Sequence, residues 1–222
     1  MKVLITGAAG GIGTAVARRF LTLGAEVCGL DLVPSETRHV RYRHFLCDIR
    51  DRAALPPIED LGVIFNNAGA QNGDDDLGNN LLGAMNVTEK YIAGNGALRS
   101  VLFNASASAV SGKEFPLYAA SKAGLVGYMK NVAVRLAPRG VTCNAISLGG
   151  VHTAMNDPVV NDPALWERIM AVTPMKKWAT PEEVADWVVF LTLTNRSMSG
   201  QNLLIDNGEN GLNDTFVWPK TE

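Results

Sequence analysis

Short apolar runs alternate with longer segments of helical periodicity along the whole chain. The first run, residues 2–6, is rich in β-branched side chains and is typical of a buried strand. Apolar residues at helical spacing follow it and predict a helix that stops at Gly24. The same pattern predicts further strands at 26–31, 42–47, 61–66, 100–105, 141–147 and 201–206, and further helices at 76–93, 116–137, 158–171 and 181–192.

Strands that alternate with helices predict an α/β fold with a doubly wound, Rossmann-like parallel sheet of about seven strands. The chain has 222 residues, so we assign 1–222 to a single domain. The connection at 48–60 is short and contains Pro56 and Pro57, which predicts a helix of only a turn or two there. Ligands of such a sheet bind at the carboxyl ends of its strands.

Composition and charge exclude several classes of protein. Hydrophobic residues make up 47% of the chain and charged residues 19%, as in an ordinary soluble enzyme. The formal net charge of −2 argues against nucleic acid or an anionic membrane surface as a partner. No apolar stretch is long enough to cross a bilayer, and the glycines within residues 7–24 argue against a secretory signal.

The three cysteines give information about the compartment. Cys28, Cys47 and Cys143 lie in apolar, strand-like runs, and their spacing matches no zinc site. We therefore interpret them as buried thiols in a reducing cytoplasm and expect no metal site.

A glycine-rich turn follows the first strand. Gly7 permits a tight turn, while Gly11 and Gly13 allow the backbone to approach a pyrophosphate at the helix N-terminus. Asp31 ends the next strand, where a carboxylate binds an adenosine ribose 2′-hydroxyl and repels a 2′-phosphate. The pattern therefore predicts NAD as the cofactor. The alternative is a glycine-rich turn in an unrelated α/β protein.

Tyr118 and Lys122 lie four residues apart on a predicted helix and therefore share one face. A phenol has a pKa of ~10, which a nearby ammonium and an oxidised nicotinamide lower because both favour the phenolate. Such a tyrosine exchanges a proton with an alcohol or a carbonyl near neutral pH. Tyrosine–lysine pairs at this spacing also arise by chance. Here, however, Ser106 and Ser108 follow a strand at the same edge of the sheet and can hold a substrate oxygen.

Together these motifs resemble those of the short-chain dehydrogenase/reductase family, and the resemblance extends over nearly the whole chain. The matching segments are 6–13, 66–69, 80–83, 101–106, 118–122 and 144–153. The resemblance implies that the catalytic residues are Ser106, Tyr118, Lys122 and Asn80, with Asn80 supporting a water relay. It implies a cofactor site formed by Gly7, Gly11, Ile12, Gly13, Asp31, Asp48, Asn67, Ala68, Gly69, Tyr118, Lys122, Val151 and Thr153.

The chain departs from the family pattern in three places. Leu148 replaces the usual proline near the nicotinamide segment, and the two crossovers near 50–60 and 70–80 are short. The interval from Ser106 to Tyr118 is twelve residues, one fewer than is common. Compact members of the hydroxysteroid-dehydrogenase type are similar in their short crossovers, an analogy that identifies no substrate.

Ser106 is preferred to Ser108 as the catalytic serine. The apolar pair Val101 and Leu102 sets the register of its strand, which places Ser106 at the carboxyl end. Ser108 is expected two residues further into the loop.

Residues 154–178 are predicted to form a lid over the substrate. Its apolar stripe favours an apolar cyclic or aromatic secondary alcohol or ketone, and it consists of Met155, Val159, Val160, Leu165, Trp166, Ile169, Met170 and Met175. Arg168, Lys176 and Lys177 leave an anionic substrate open.

Two other functions stay open at this point. One is a nucleotide-sensing protein of the same fold without catalysis, which the intact catalytic residues oppose. The other is an NADPH-dependent reductase, which Asp31 opposes. The resemblance also implies a homodimer or homotetramer, formed through the predicted helices 76–93 and 116–137 and through the last helix and strand. The tail from Leu212 to Trp218 is expected to cover a neighbouring subunit or site.

Overall fold

A single sheet of seven parallel strands forms the centre of the computed structural model, which describes residues 1–113, 115–210 and 212. The strands are β1 (Lys2–Thr6), β2 (Glu26–Asp31), β3 (Tyr42–Leu46), β4 (Leu61–Asn66), β5 (Ser100–Asn104), β6 (Thr142–Leu148) and β7 (Asn202–Ile205). Their order across the sheet is β3-β2-β1-β4-β5-β6-β7, and every pair is parallel. The order reverses between β1 and β4, so the two halves of the sheet diverge there and open a crevice at the carboxyl edge.

Helices cover both faces of the sheet. They are α1 (Gly11–Thr22), α2 (Gly83–Ile92), α3 (Ser108–Ser111), α4 (Pro116–Leu136), α5 (Asp157–Val160), α6 (Pro163–Val172) and α7 (Pro181–Val189). Short 3₁₀ segments lie at Ala137–Arg139 and Ala154–Asn156, and π-helical segments at Gly78–Leu82 and Phe190–Thr194.

Two hydrophobic cores flank the sheet. On one face α2 and α4 pack against the strands, with Val87, Leu125 and Met129 completely buried. On the other face α1 packs beside α7, with Phe20 and Val188 completely buried. Because both faces are covered, the central strands are largely apolar, and all six residues of β4 are buried.

The predicted doubly wound sheet is confirmed, and every predicted strand is present to within one residue at each end. The first helix ends as predicted, because Gly24 has a φ of +82° and donates its N–H to the carbonyl of Leu21. The helix α7 begins with Thr180 as its cap. The Thr180 hydroxyl accepts from the N–H of Glu183, whose carboxylate accepts from the N–H of Thr180.

The single helix predicted at 158–171 is wrong, since the structure contains α5 and α6 with a break at residues 161–162. Asp162 is extended, with φ −103° and ψ 102°, and its carboxylate accepts the N–H groups of Ala164 and Leu165. Pro163 disfavours the helical conformation at the residue before it, so a new helix begins there with Asp162 as its cap.

The helical turn predicted within residues 48–60 is also absent from the described structure. Only hydrogen-bonded turns lie there, from Asp51 to Asp48 and from Ala54 to Asp51. The pair Pro56–Pro57 removes two donors from the second half of this connection, which leaves too few residues for a helix.

The helix predicted at 76–93 occupies residues 76–92, but its first part is π-helical at Gly78–Leu82. Hydrophobic periodicity does not distinguish one wide turn from ordinary helix, so the sequence carried no indication of it. In the described part of the chain no helix is both long and apolar enough to cross a membrane.

Replacement of Thr180 by Ala tests the cap of α7. The variant loses the side-chain oxygen that satisfies the N–H of Glu183, so we expect it to be less stable by about 1 kcal/mol. Thermal unfolding is the measurement, and a chain of this length should lose roughly 2–4 °C. Thr194→Ala, at an exposed position beyond the other end of the same helix, is the control. Equal melting temperatures for the two variants would contradict the assignment.

Candidate active site

One large cleft of about 830 Å³ lies at the carboxyl edge of the sheet, above the point where the strand order reverses. Nearly all of the predicted site residues line it: Gly7, Gly11, Ile12, Gly13, Asp31, Asp48, Asn67, Ala68, Gly69, Ser106, Tyr118, Lys122, Val151 and Thr153. Asn80 is the exception, because it is completely buried behind the cleft wall. The tertiary structure thus brings together residues that are far apart in the sequence.

The glycine turn lies where β1, α1 and the loop after β4 meet. Gly7 has a φ of +64°, and a Cβ atom there would lie 2.8 Å from Cα of Ala68. A Cβ on Gly13 would lie 2.0 Å from the carbonyl oxygen of Gly7. Side chains are therefore excluded by sterics, and the backbone itself forms this wall of the cleft.

The N-terminus of α1 opens onto the same wall, and no side chain caps it. The N–H groups of a first helical turn carry partial positive charge and bind anions such as phosphate. The carboxylate of Asp31 stands at the end of β2. Its Oδ2 accepts from the N–H of Ala9 at 2.9 Å and its Oδ1 from the N–H of Val33 at 3.2 Å. An uncapped helix end beside a fixed carboxylate fits the pyrophosphate and the ribose diol of a dinucleotide.

Side-chain hydrogen bonds join three adjacent strand ends beneath the cleft. The hydroxyl of Thr6, at the end of β1, accepts the N–H groups of Asn67 and Ala68, each at 2.9 Å. The Asn67 amide donates to the carbonyls of Thr6 and Gly7, and its oxygen accepts from the amide of Asn104 at 3.0 Å. These bonds fix the loop after β4 against both neighbouring strands.

Lys122 completes this polar layer from α4. Its Nζ donates to the backbone carbonyl of Asn104 at 2.9 Å and lies 5.7 Å from the centre of the Tyr118 ring. Burial lowers the pKa of Lys122 to about 8, and the charge of Asp76 acts in the opposite direction. Tyr118 is partly exposed to the cleft on the same face of α4. A phenol and a buried ammonium therefore lie side by side at the cleft.

The two candidate serines lie next to each other just beyond β5. Both are buried, and their hydroxyl oxygens are 2.6 Å apart in a hydrogen bond. Ser106 also accepts from the N–H of Ser108 at 3.2 Å and lines the cleft. Ser108 begins the short α3, an element that the sequence did not predict.

Asn80 connects the loop at residue 70 to α4. Its oxygen accepts from the N–H of Ala70, while its amide donates to the carbonyl of Ala70 and to the hydroxyl of Ser121. It lies within the π-helical segment, so the wide turn places this amide beneath the cleft wall. The side chain is thus well placed to orient Lys122, the residue after Ser121.

Asp48 lies at the opposite end of the cleft from Tyr118. The guanidinium of Arg50 approaches both of its oxygens, at 2.6 Å for the shortest contact, and holds the pKa of Asp48 below its usual range. The carboxylate is therefore ionised and fixed in orientation where Asp48 lines the cleft.

Only part of the predicted lid stripe faces the cleft. Met155, Val159 and Ile169 line it, and so do two aromatic residues that the sequence analysis missed, Phe115 and Trp178. The rest of the stripe is not part of the lining: Val160, Leu165, Trp166, Met170 and Met175.

Trp178 anchors the lid to the end of β6. A Cβ on Gly150 would lie 1.9 Å from its ring, so only glycine allows the indole to lie against the backbone there. The ring of Trp166 packs edge-on against it at 5.2 Å, and the His152 ring packs at 6.3 Å. Hydrophobic spacing alone does not identify such a contact between distant segments.

Leu148, in place of the usual proline, does not interrupt the sheet. It is the last residue of β6 and pairs with Ile205 of β7, and its carbonyl accepts from the N–H of Ala107. Strand β6 therefore extends to the start of the segment that the sequence analysis places near the nicotinamide. Of the predicted C-terminal tail, Leu212 is described, whereas Phe216 and Trp218 lie outside the described residues.

Comparison with known proteins shows which families and enzymes this chain is similar to. A family model described as enoyl-(acyl carrier protein) reductase matches residues 62–210. The chain is 29% identical to D-threitol dehydrogenase of Mycolicibacterium smegmatis, over 92% of this chain and 91% of that protein. It is 30% identical to (+)-borneol dehydrogenase 1 of Salvia officinalis, over 95% and 94% respectively.

A crystal structure of an oxidoreductase from Burkholderia thailandensis, of the short-chain dehydrogenase/reductase family, has a TM-score of 0.82 with this chain. The identity is 29%, and the match covers 94% of this chain and 92% of that one. These similarities therefore include the sheet, the cleft and the helix that carries Tyr118 and Lys122.

Proposed function

The chain belongs to the short-chain dehydrogenase/reductase family, and we propose that it transfers a hydride between NAD(H) and an apolar secondary alcohol or ketone. Membership makes it an oxidoreductase that acts on alcohols or ketones. The observation that carries the proposal is the pairing of Tyr118 with the buried ammonium of Lys122 in the cleft that holds the glycine turn and Asp31.

The choice of NAD rests on Asp31. Two backbone N–H groups hold its carboxylate at the rim of the cleft, where it can accept hydrogen bonds from the two ribose hydroxyls. A 2′-phosphate placed there would meet a fixed negative charge. Gly7, Gly11, Ile12 and Gly13 would hold the pyrophosphate, and the segment that contains Val151 and Thr153 would hold the nicotinamide. When bound, the cofactor supplies the site that accepts or donates the hydride.

The protein residues carry out the proton transfer. Tyr118 donates its phenolic proton to the carbonyl oxygen in reduction and accepts a proton from the alcohol in oxidation. Lys122 stabilises the phenolate, since an ammonium beside a phenol favours its ionised form. Ser106 donates a hydrogen bond to the same substrate oxygen and thereby aligns it. Asn80 orients Lys122 through Ser121 and supports the water that returns the proton to solvent.

The substrate end of the cleft supports an apolar substrate. Phe115, Met155, Val159, Ile169 and Trp178 lie together on the lid side. The segment 154–178 is accordingly proposed to be the substrate lid within a single NAD-binding domain of residues 1–222. Two relatives are named as dehydrogenases of D-threitol and of (+)-borneol, compounds that differ greatly in polarity. Relatedness alone therefore does not choose between a polar and an apolar substrate. We expect faster NAD reduction with cyclic or aromatic alcohols than with small polyols.

Replacement of Tyr118 by Phe tests the proton chemistry most directly. The variant lacks only the hydroxyl, and positioned acid–base catalysis contributes ~10²–10⁴-fold, so we expect kcat to fall by at least that factor. NADH binding, followed by fluorescence, should persist because the ring and Lys122 remain. Ser106→Ala should also lower turnover strongly, and by more than Ser108→Ala, which removes only the hydrogen-bond partner of Ser106.

The serine pair gives the outcome that would contradict this assignment. If Ser108→Ala abolishes turnover at saturating NAD while Ser106→Ala stays near wild type, the roles are reversed. If neither variant has an effect, the proposed catalytic set is wrong. Binding of NADH without hydride transfer to any member of a broad substrate panel would support the alternative, a nucleotide-sensing protein of this fold.

Calorimetry with NADH and NADPH tests the proposed cofactor. We expect wild type to bind NADH more tightly than NADPH. Asp31→Ala should raise the KM for NAD and reduce the difference in KM between NAD and NADP, because it removes the charge that repels a 2′-phosphate. Asp51→Ala is a suitable control, since Asp51 is exposed and outside the cleft lining. Tighter binding of NADPH by wild type would favour the alternative of an NADPH-dependent reductase.

We also propose that the chain forms a homodimer or homotetramer through α2 and α4. Glu89 of α2 accepts from Arg135 and Tyr128 of α4, so hydrogen bonds join the two helices, and Val134 of α4 is 75% exposed. Light scattering at micromolar concentration should give the mass of two or four chains. A monomer under these conditions would count against this proposal.

The three unpaired thiols fit the reducing cytoplasm that we propose as the location of the protein.

A further inference from the structure

Three charged side chains are almost completely buried in the described part of the chain: Asp76, Lys122 and Asp206, with 2%, 4% and 6% exposure. Burial of a charge is costly unless a partner compensates it. Asp206 has a clear structural role, because its two oxygens accept the N–H groups of Gly208 and Asn210 and close a turn. Asp76 and Lys122 require a different explanation.

Asp76 lies one helical turn from Asn80, a residue that packs beside Lys122. It starts the helical run 76–92, one turn before Asn80, and both side chains are buried. Asn80 in turn donates to Ser121, the residue before Lys122. At Gly69 a Cβ atom would lie 2.7 Å from the oxygen of Asn80 and 3.1 Å from Nζ of Lys122. Asn80 and the ammonium therefore pack against the same glycine, and the buried carboxylate of Asp76 lies one helical turn from Asn80.

The local hydrogen bond of Asp76 does not explain its charge. Its Oδ1 accepts from the N–H of Gly73 at 3.0 Å, which a neutral amide oxygen does equally well. Lys122 forms no ion pair within 4.0 Å among the described residues. Of the charged groups there, Asp76 is the one whose charge acts on Lys122, and it opposes the effect of burial.

We propose that Asp76 is a positioning residue of the active site, whose buried carboxylate keeps Lys122 in the ammonium form. Two elements supply the titratable groups around this ammonium: Tyr118 on α4 and Asp76 at the start of the helical run. If the proposed function holds, the retained positive charge is what favours the phenolate of Tyr118. Asp76 would thus act on the proton chemistry through Lys122, without contacting substrate or cofactor.

Asp76→Asn separates charge from structure, because the amide oxygen can still accept from Gly73. Loss of the negative charge should lower the pKa of Lys122 further, so the ammonium should lose its proton at lower pH. The measurement is a pH titration of ¹³C-labelled lysine ε-methylene signals by NMR on the full chain without cofactor. The Lys122 signal is identified by its absence in Lys122→Met.

In wild type we expect a midpoint at about pH 8. Asp76→Asn should lower it by about one unit or more, as expected for removal of a nearby opposite charge. Asp76→Glu keeps the charge and should restore the midpoint. Asp74→Asn, at an exposed neighbouring position, should leave it unchanged.

An unchanged midpoint in Asp76→Asn would overturn the proposal. If that variant does not fold, Asp76→Ser offers another acceptor for Gly73 and should show the same decrease. If neither variant folds, the measurement is the ¹³Cγ chemical shift of Asp76 in wild type. This chemical shift should change at the pH of the Lys122 midpoint, and a constant value there would contradict the coupling. The titration reads the ammonium directly, so its outcome is independent of whether the proposed hydride transfer takes place.

Discussion

The carboxyl ends of β1, β4 and β5 are held together by one chain of hydrogen bonds, and the active-site floor depends on it. The Thr6 hydroxyl accepts from the backbone N–H of Asn67, the Asn67 side-chain oxygen accepts from the Asn104 amide, and the Asn104 backbone carbonyl accepts from Nζ of Lys122. Parallel strands end with backbone groups that lack a ladder partner, and buried groups of this kind must be satisfied. Side-chain amides satisfy them here and at the same time fix the loop that faces the glycine turn.

This constraint also explains why a lysine can be buried beneath the cleft. Desolvation of an ammonium is unfavourable, and the carbonyl of Asn104 offers only one acceptor for its three protons. The ammonium is therefore poorly solvated. A positive charge in such a site acts strongly on a neighbouring phenol, here that of Tyr118. A sheet edge organised for ligand binding therefore also provides the electrostatic conditions for proton transfer.

The short crossovers change the surroundings of the site without changing the sheet. The connection from β3 to β4 has turns in place of a helix, and the segment after Gly69 is short enough that Asn80 bonds directly to Ala70. The π-helical turn at Gly78–Leu82 gives Asn80 its inward position despite the shortened loop. Segment 154–178, the proposed lid, contains the two helices α5 and α6, and Trp178 packs against the backbone at Gly150.

The sequence alone determined the alternation of strands and helices, the glycine turn, Asp31 and the tyrosine–lysine pair. Each of these depends on local spacing: apolar periodicity, glycine where a side chain cannot fit, or two residues one helical turn apart. The break before Pro163 also has a local cause, although the apolar periodicity continues across it. The sequence did not determine the π-helical turn, the positions of Asn104 and Asp76, or which residues of segment 154–178 face the cleft. Those features depend on contacts between segments distant in sequence, and only the packed structure decides which of them meet.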